Sequence, residues 1–242
     1  MRRPVPVFIA SGIGVAILVL LGAWQMARLQ WKNGIVAQIE ARRGAPVTAL
    51  PPLAQWSTLN ADDYEYRHVA VNGAFEPDKT ALVYRGGAPN APGAGPGYLL
   101  LTPLRLPSDE TVIVNRGFAP LADAAVAKDN VPKGTVVVAG LMRSPETRNA
   151  FTPADAPAAG VWYTRDPASI AARFGIARVA PFTIDADADA KAQGWPRPGT
   201  TVVDIPNNHL SYALTWWGLA LALIGVTFAY VNNPKLKSDQ SP

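Results

Sequence analysis

Asn207-Asn-His-Leu-Ser-Tyr-Ala-Leu-Thr-Trp-Trp-Gly-Leu-Ala-Leu-Ala-Leu-Ile-Gly-Val-Thr-Phe-Ala-Tyr-Val231 decides the fold, because no charge falls between Leu210 and Val231. About 22 residues at roughly 1.5 Å each reach across the ~30 Å hydrocarbon core of a bilayer, so the stretch is predicted to be a transmembrane helix. Pro206, Asn207 and Asn208 mark its start, the asparagine side chains being suited to accept from first-turn amides. Asn233-Pro234, followed by Lys235 and Lys237, marks its end.

At about 100° per residue, His209, Tyr212, Ala213, Trp216 and Ala220 share one face, and Ser211, Gly218, Ala222, Gly225 and Ala229 share the opposite one. The small face is expected to pack against another helix, because small residues let backbones approach closely in lipid. The most economical partner is the first apolar span, whose Gly12, Ala16, Ala23 and Ala27 lie along one side. For His209 two readings stay open. It is either a headgroup-level hydrogen-bonding group in an aromatic belt with Tyr212, Trp216 and Trp217, or an axial ligand or polar contact for something held at the membrane surface.

The first span follows Met1-Arg-Arg-Pro and runs from Val5 to Trp24. It is longer than the roughly 7–15 apolar residues of a signal peptide, which favours a retained anchor. Residues 7–27 and 207–231 are therefore read as the two spans, residues 1–6 and 232–242 as tails, and residues 28–206 as the intervening domain with a leading helix over 28–43. Arg2, Arg3, Lys235 and Lys237 put both tails in the cytoplasm and the domain on the outer side. Trp24, Arg28 and Trp31 lie at i, i+4 and i+7, so two rings and a guanidinium share a face where the first helix leaves the bilayer.

Composition narrows the chemistry. The chain of 242 residues carries a net charge of +4 with its basic residues scattered, which gives no nucleic-acid footprint. It has no cysteine, three methionines and two histidines, His68 and His209, so disulfides and thiolate sites are excluded and a protein-only copper or zinc site is not expected. No Gly-x-Ser-x-Gly or His-Glu-x-x-His occurs, and an enzyme is not expected.

Between the spans the texture is that of short strands broken by Gly, Pro and Asp. Candidates are Tyr64–Phe75, Ala81–Arg85, Tyr98–Leu106, Thr111–Phe118, Thr135–Met142, Gly160–Arg165, Phe182–Asp185 and Thr200–Ile205. Only Pro167–Phe174 reads as helical, with Asp166 as its cap and Pro167 at its first position. The fold class is therefore a membrane protein of α+β type: two transmembrane helices flank a mainly antiparallel β domain, a small barrel or sandwich with one or two helices. The glycines of Gly86–Gly97 precede a strand instead of a helix, so they form a hairpin loop and not a phosphate cradle. Asp185-Ala-Asp-Ala-Asp-Ala190 lacks the glycine and glutamate of a calcium loop and reads as a solvated turn; Asp62-Asp63 reads as loop, and His68 as a structural strand residue.

Five fragments in order resemble the successive signatures of the Surf1/Shy1 family. They are Gly22-Ala-Trp-Gln-Met-Ala-Arg-Leu-Gln-Trp-Lys32, Gly97-Tyr-Leu-Leu-Leu-Thr-Pro-Leu104, Val114-Asn-Arg-Gly-Phe-Ala-Pro120, Trp162-Tyr-Thr-Arg-Asp166 and Asn207-Asn-His-Leu-Ser-Tyr-Ala-Leu-Thr-Trp216. Phe118 stands where the family commonly has Trp, and Trp217 where Tyr is common; both keep an aromatic. The resemblance implies an assembly factor for a haem-copper terminal oxidase (cytochrome c oxidase) in the inner membrane of a bacterium, aiding delivery of haem a. The implied partners are the oxidase catalytic subunit, the haem a synthesis machinery and membrane lipid. The family histidine falls on His209 as the suspected haem contact. Tyr212 and Trp216 would flank a porphyrin, and Arg28, with Trp24 and Trp31 at the same depth, would meet a propionate. A scaffold that holds oxidase subunits without touching haem, and a sensor ectodomain, remain as alternatives.

Overall fold

The structure, a computed structural model, describes residues 5–88, 91–189, 193–199 and 207–232. It divides into two compact units, Met1–Gln38 with Asp204–Pro242, and Ile39–Val203. The expected strand Thr200–Ile205 and both charged tails lie outside the described residues.

The first unit is built on two helices long and apolar enough to cross a membrane, α1 (Val5–Arg43) and α5 (His209–Asn232). They run antiparallel: the Thr227 hydroxyl donates to Ser11 Oγ at 2.8 Å, and the Asn207 amide nitrogen donates to Asn33 Oδ1 at 2.8 Å. Asn207 thus bridges the helices instead of capping α5. Between these ends, side chains of α5 dock into notches on α1. A Cβ added at Gly22 would lie 2.2 Å from the indole nitrogen of Trp217, and one at Gly14 would lie 2.9 Å from a Leu223 methyl. Close approach explains both glycines. The Trp217 N–H points to the Val19 carbonyl at 3.4 Å.

The packing face of α5 is therefore the one carrying His209, Ala213, Trp217, Ala220, Leu223 and Thr227, with Ala213 and Ala220 buried. This corrects the sequence expectation. Nothing lies within 4 Å of a Cβ built at Gly218 or Gly225, nor at Gly12 on α1. The small-residue rule selected the wrong side because it assumes small against small, whereas here the small residues of α1 receive large side chains from α5. The interlocking residues follow the 3–4 spacing of antiparallel helix pairs.

The second unit is a β domain. After β1 (Thr48–Ala49) and the short helix α2 (Ala61–Tyr64) come β2 (His68–Phe75), β3 (Ala81–Arg85), β4 (Gly97–Arg105) and β5 (Thr111–Pro120). Then follow α3 (Ala124–Asp129), β6 (Thr135–Arg143), β7 (Val161–Trp162), α4 (Pro167–Phe174) and β8 (Val179–Ala186). β2 pairs with β6, β6 with β8, β8 with β5, β5 with β4, and β4 again with β2. These five strands close a barrel in which the β5–β8 pair is parallel and the rest are antiparallel. Their ring order is that of a Greek-key barrel of the OB type.

Alternation along β5 places the core. Val112 and Val114 face the barrel interior with Trp56, Tyr64, Leu104 and Phe182, whereas Ile113 faces a second layer with Val83, Leu101, Trp162 and Ile170. A strand covered on both faces reads as a continuous apolar run. Helix α4 starts and ends as its sequence dictates: Asp166 accepts from the amides of Ala168 and Ser169 at 2.9 and 3.3 Å, and Gly175 closes it at φ 65°. The Asn115-Arg116-Gly117 motif is a bulge in β5, where the register against β4 shifts between Leu99 and Leu101. Gly117 has φ 131° and leaves room for the Arg197 carbonyl, which a Cβ would approach to 2.1 Å.

Several boundaries differ from the sequence reading: the expected strand Gly160–Arg165 shortens to Val161–Trp162, and that over Phe182–Asp185 begins at Val179. Tyr64 ends a helix capped by Asn60, which contains Asp62 and Asp63, and β2 begins only at His68. Ala124–Asp129 is helical too, its alanine-rich run carrying little periodic signal in six residues. Asp185 is not in a solvated turn: it is buried in β8 and accepts from Arg165 at 2.9 Å, Arg143 at 3.0 Å and Asn115 at 2.9 Å. Arg165 also lies 3.4 Å from Glu146, which takes both oxygens to Arg85 at 2.7 Å, and Arg143 reaches Glu65 at 2.8 Å. Burial works to raise the Glu146 pKa, but Arg165 and Arg85 outweigh it and hold the carboxyl below its ordinary 4.5.

Two outcomes follow from these contacts. In this cysteine-free chain, Ser11→Cys with Thr227→Cys should oxidise to a disulfide. Adding Gly22→Leu should cut the cross-link yield, and adding Gly218→Leu should leave it at the parental level; the reverse pattern would contradict the packing. In the β domain, Asp185→Asn should cost roughly 3–5 kcal/mol, since it strands buried guanidinium groups. Because the Glu146 pKa is depressed on folding, its stabilisation is complete above 4.5 and fades as pH falls below that value. Acid unfolding of the full chain in detergent should therefore be less steep in Glu146→Gln, followed through the near-UV signal of buried Trp162.

Candidate functional site

The polar groups of the first unit converge where α5 begins. His209 opens that helix, and its Nδ1 lies 2.7 Å from the Gln25 Oε1 of α1. Among the described residues, His209 is the one hydrogen-bond partner of the Gln25 side chain. A glutamine facing a neighbouring helix in an apolar segment is costly unless paired, and the imidazole supplies its partner. Two turns further along the same face of α5, the indole nitrogen of Trp216 is buried and has no partner among the described residues. Tyr212 is more than half exposed.

Trp24, Arg28 and Trp31 form a second group. The Arg28 guanidinium carbon stands 4.9 Å from the centre of the Trp31 ring and 5.9 Å from that of Trp24, a cation–π stack on an exposed face. Arg28 has no carboxylate or hydrogen-bond partner among the described residues. This group sits roughly a quarter-turn round α1 from Gln25, with Arg28 one helical turn beyond it.

The structure thus brings Trp24, Arg28 and Trp31 together, as their spacing implied, and places His209 and Trp216 on the face turned toward α1. It does not turn His209 outward between the rings of Tyr212 and Trp216. Gln25 received no role of its own in the sequence reading, and Trp217, read there as part of an aromatic belt, is instead seated over Gly22 of α1. Their signal lies in the 3–4 pattern shared by Gly14, Gly22 and Gln25 on one helix and His209, Trp217 and Leu223 on the other.

The β domain offers several polar clusters with structural roles. His68 Nε2 is 2.7 Å from Asp187, joining β2 to the segment after β8. Arg116 gives its guanidinium to Thr102 at 2.8 Å and to the carbonyls of Asn130, Lys128 and Ala127, closing the C-terminal end of α3. Burial pushes its pKa down to about 10. A cleft of about 550 Å³ opens beside it, with Asn130, Val138 and Asp187 in its walls. With its donors turned to the Thr102 hydroxyl and to carbonyls, Arg116 is spent on holding α3. The described residues contain no group of three or more His, Asp or Glu side chains suited to a metal ion.

Comparison with known proteins covers both units. The profile of the SURF1 family matches residues 13–221. A SURF1-like protein of Monosiga brevicollis is 34% identical over 212 residues, which span 83% of this chain and 78% of the relative. Surfeit locus protein 1 of Rattus norvegicus is 32% identical over 216 residues, 84% of this chain and 68% of the relative, and that of Homo sapiens is 31% identical with 84% and 70% covered. With one family profile running from α1 across the barrel into α5, and relatives alike over the same length, the chain belongs to the SURF1 family.

Proposed function

We propose that this protein is a non-catalytic assembly factor for a haem-copper terminal oxidase, cytochrome c oxidase, and that it holds haem a at the head of the α1–α5 pair for the oxidase catalytic subunit. The haem would come from the haem a synthesis machinery, and the host membrane would be the bacterial inner membrane, with the β domain periplasmic. Family membership carries the assembly reading, and the state of His209 carries the haem reading.

The residues present fit the group. A carbonyl oxygen accepts but cannot donate, so with Gln25 Oε1 at 2.7 Å the neutral His209 ring carries its proton on Nδ1, and the Nε2 lone pair is left for a metal. His209 would be the one imidazole of the first unit, since His68 belongs to the β domain. Arg28, which has no carboxylate partner among the described residues, suits a propionate. Trp24, Trp31 and Tyr212 offer exposed apolar faces. Bound haem would supply an iron able to take a histidine nitrogen as a ligand. The chain's own residues provide that nitrogen, fix its ring against Gln25 and offer a counter-charge. Holding the cofactor through one imidazole at a helix end is compatible with handing it on.

The test is to purify wild type, His209→Ala and Arg28→Ala from the same haem-a-producing cells and compare haem absorption per protein. His209→Ala should lose most of the haem while inserting into the membrane normally, and Arg28→Ala should lose less. Equal haem in wild type and His209→Ala would remove the ligand role and leave a scaffold. Orientation is checked with reporter fusions at Asp78 and Lys237, which should report opposite sides of the membrane.

A further inference from the structure

We infer that Gln25 is a positioning residue for His209: it fixes the imidazole in the Nδ1–H tautomer and so keeps Nε2 unprotonated and available as a ligand nitrogen. The inference rests on the haem reading for its purpose, but its physical content concerns the ligand-free chain. Histidine in water favours the opposite tautomer, with the proton on Nε2, and in that form it presents no lone pair there. A single hydrogen bond to Nδ1 reverses the preference, and it also sets the rotation of the ring about its side-chain bonds.

Three observations carry this. The contact is short, 2.7 Å, and pairs a ring nitrogen with an oxygen that can only accept. Gln25 has no competing hydrogen-bond partner among the described residues, so the amide is not tied up elsewhere. The register that brings Gln25 opposite His209 is also fixed independently, by Trp217 over Gly22 and by Thr227 against Ser11. Losing the Gln25 amide should thus free the ring without parting the helices. The arrangement parallels metal-ligating histidines whose second nitrogen is held by a carbonyl or carboxylate, where loss of that partner costs about 10–100-fold in metal affinity.

The experiment uses the full chain in detergent. With ¹⁵N-labelled histidine, the two rings are assigned by comparison with His209→Ala, and spectra are recorded without haem at about pH 8, above the ordinary histidine range. Wild type should show a protonated Nδ1 and an unprotonated Nε2 at His209. Gln25→Leu should shift the ring toward the Nε2–H form, and Gln25→Glu should restore the Nδ1–H form. An Nε2–H tautomer in wild type, or an unchanged ring in Gln25→Leu, would overturn the inference. Haem titration is the second readout: Gln25→Leu should weaken binding by about 10–100-fold, with Gln25→Glu close to wild type. The Ser11→Cys/Thr227→Cys cross-link is the third, and its yield should not change; a fall with both substitutions would make Gln25 a packing residue and overturn the positioning role. If His209→Ala keeps full haem, the haem reading fails whatever the tautomer. If His209→Ala loses haem but Gln25→Leu binds as wild type does, the positioning role alone fails.

Discussion

The seating of Trp217 over Gly22 is the contact on which the arrangement of the helix pair depends. A glycine is needed there, since any side chain would occupy the space of the indole. Once the ring is seated, the axial register of two apolar helices is set, and the polar residues above and below it have no freedom in choosing partners. His209 meets Gln25 on one side, and Thr227 meets Ser11 on the other. In a lipid-facing segment, where apolar side chains gain little by meeting one another, such shape and hydrogen-bond matches are what specify a pair.

The β domain achieves its definition differently. Closure of β2 on β4 leaves the five-stranded ring without open edges, and β5 lies at the junction of its two apolar layers. The charged groups beneath are arranged as a lattice about Asp185, tying strands β3, β6 and β8 to the residues around Glu146 and Arg165. Charges buried at this density are costly unless each is matched, and they favour one arrangement of the strands over near alternatives.

Much of this was legible in the sequence, for reasons that are local. The two spans are a matter of length and the absence of charge, α4 announces itself through Asp166 and Pro167, and the stack of Trp24, Arg28 and Trp31 follows from helical spacing within one element. What was not legible depends on partners far away in the chain. Gln25 and His209 are separated by 184 positions, so nothing near either residue reveals the pairing. The packing face of α5 was misassigned for the same reason, because its complement is written in the glycines of α1. Asp185 looked like a turn residue among alternating Asp and Ala until Arg143, Arg165 and Asn115 were brought around it.

These threads meet at the head of the helix pair, where His209 is held against Gln25 by one ring nitrogen. The most direct test is electron–nuclear hyperfine spectroscopy of the ferric haem-loaded full chain made with ¹⁵N-histidine. With two histidines in the chain, two variants assign the coupling. A strong coupling from one imidazole nitrogen should persist in His68→Ala and vanish in His209→Ala. Persistence of that coupling in His209→Ala would contradict ligation by the helix pair.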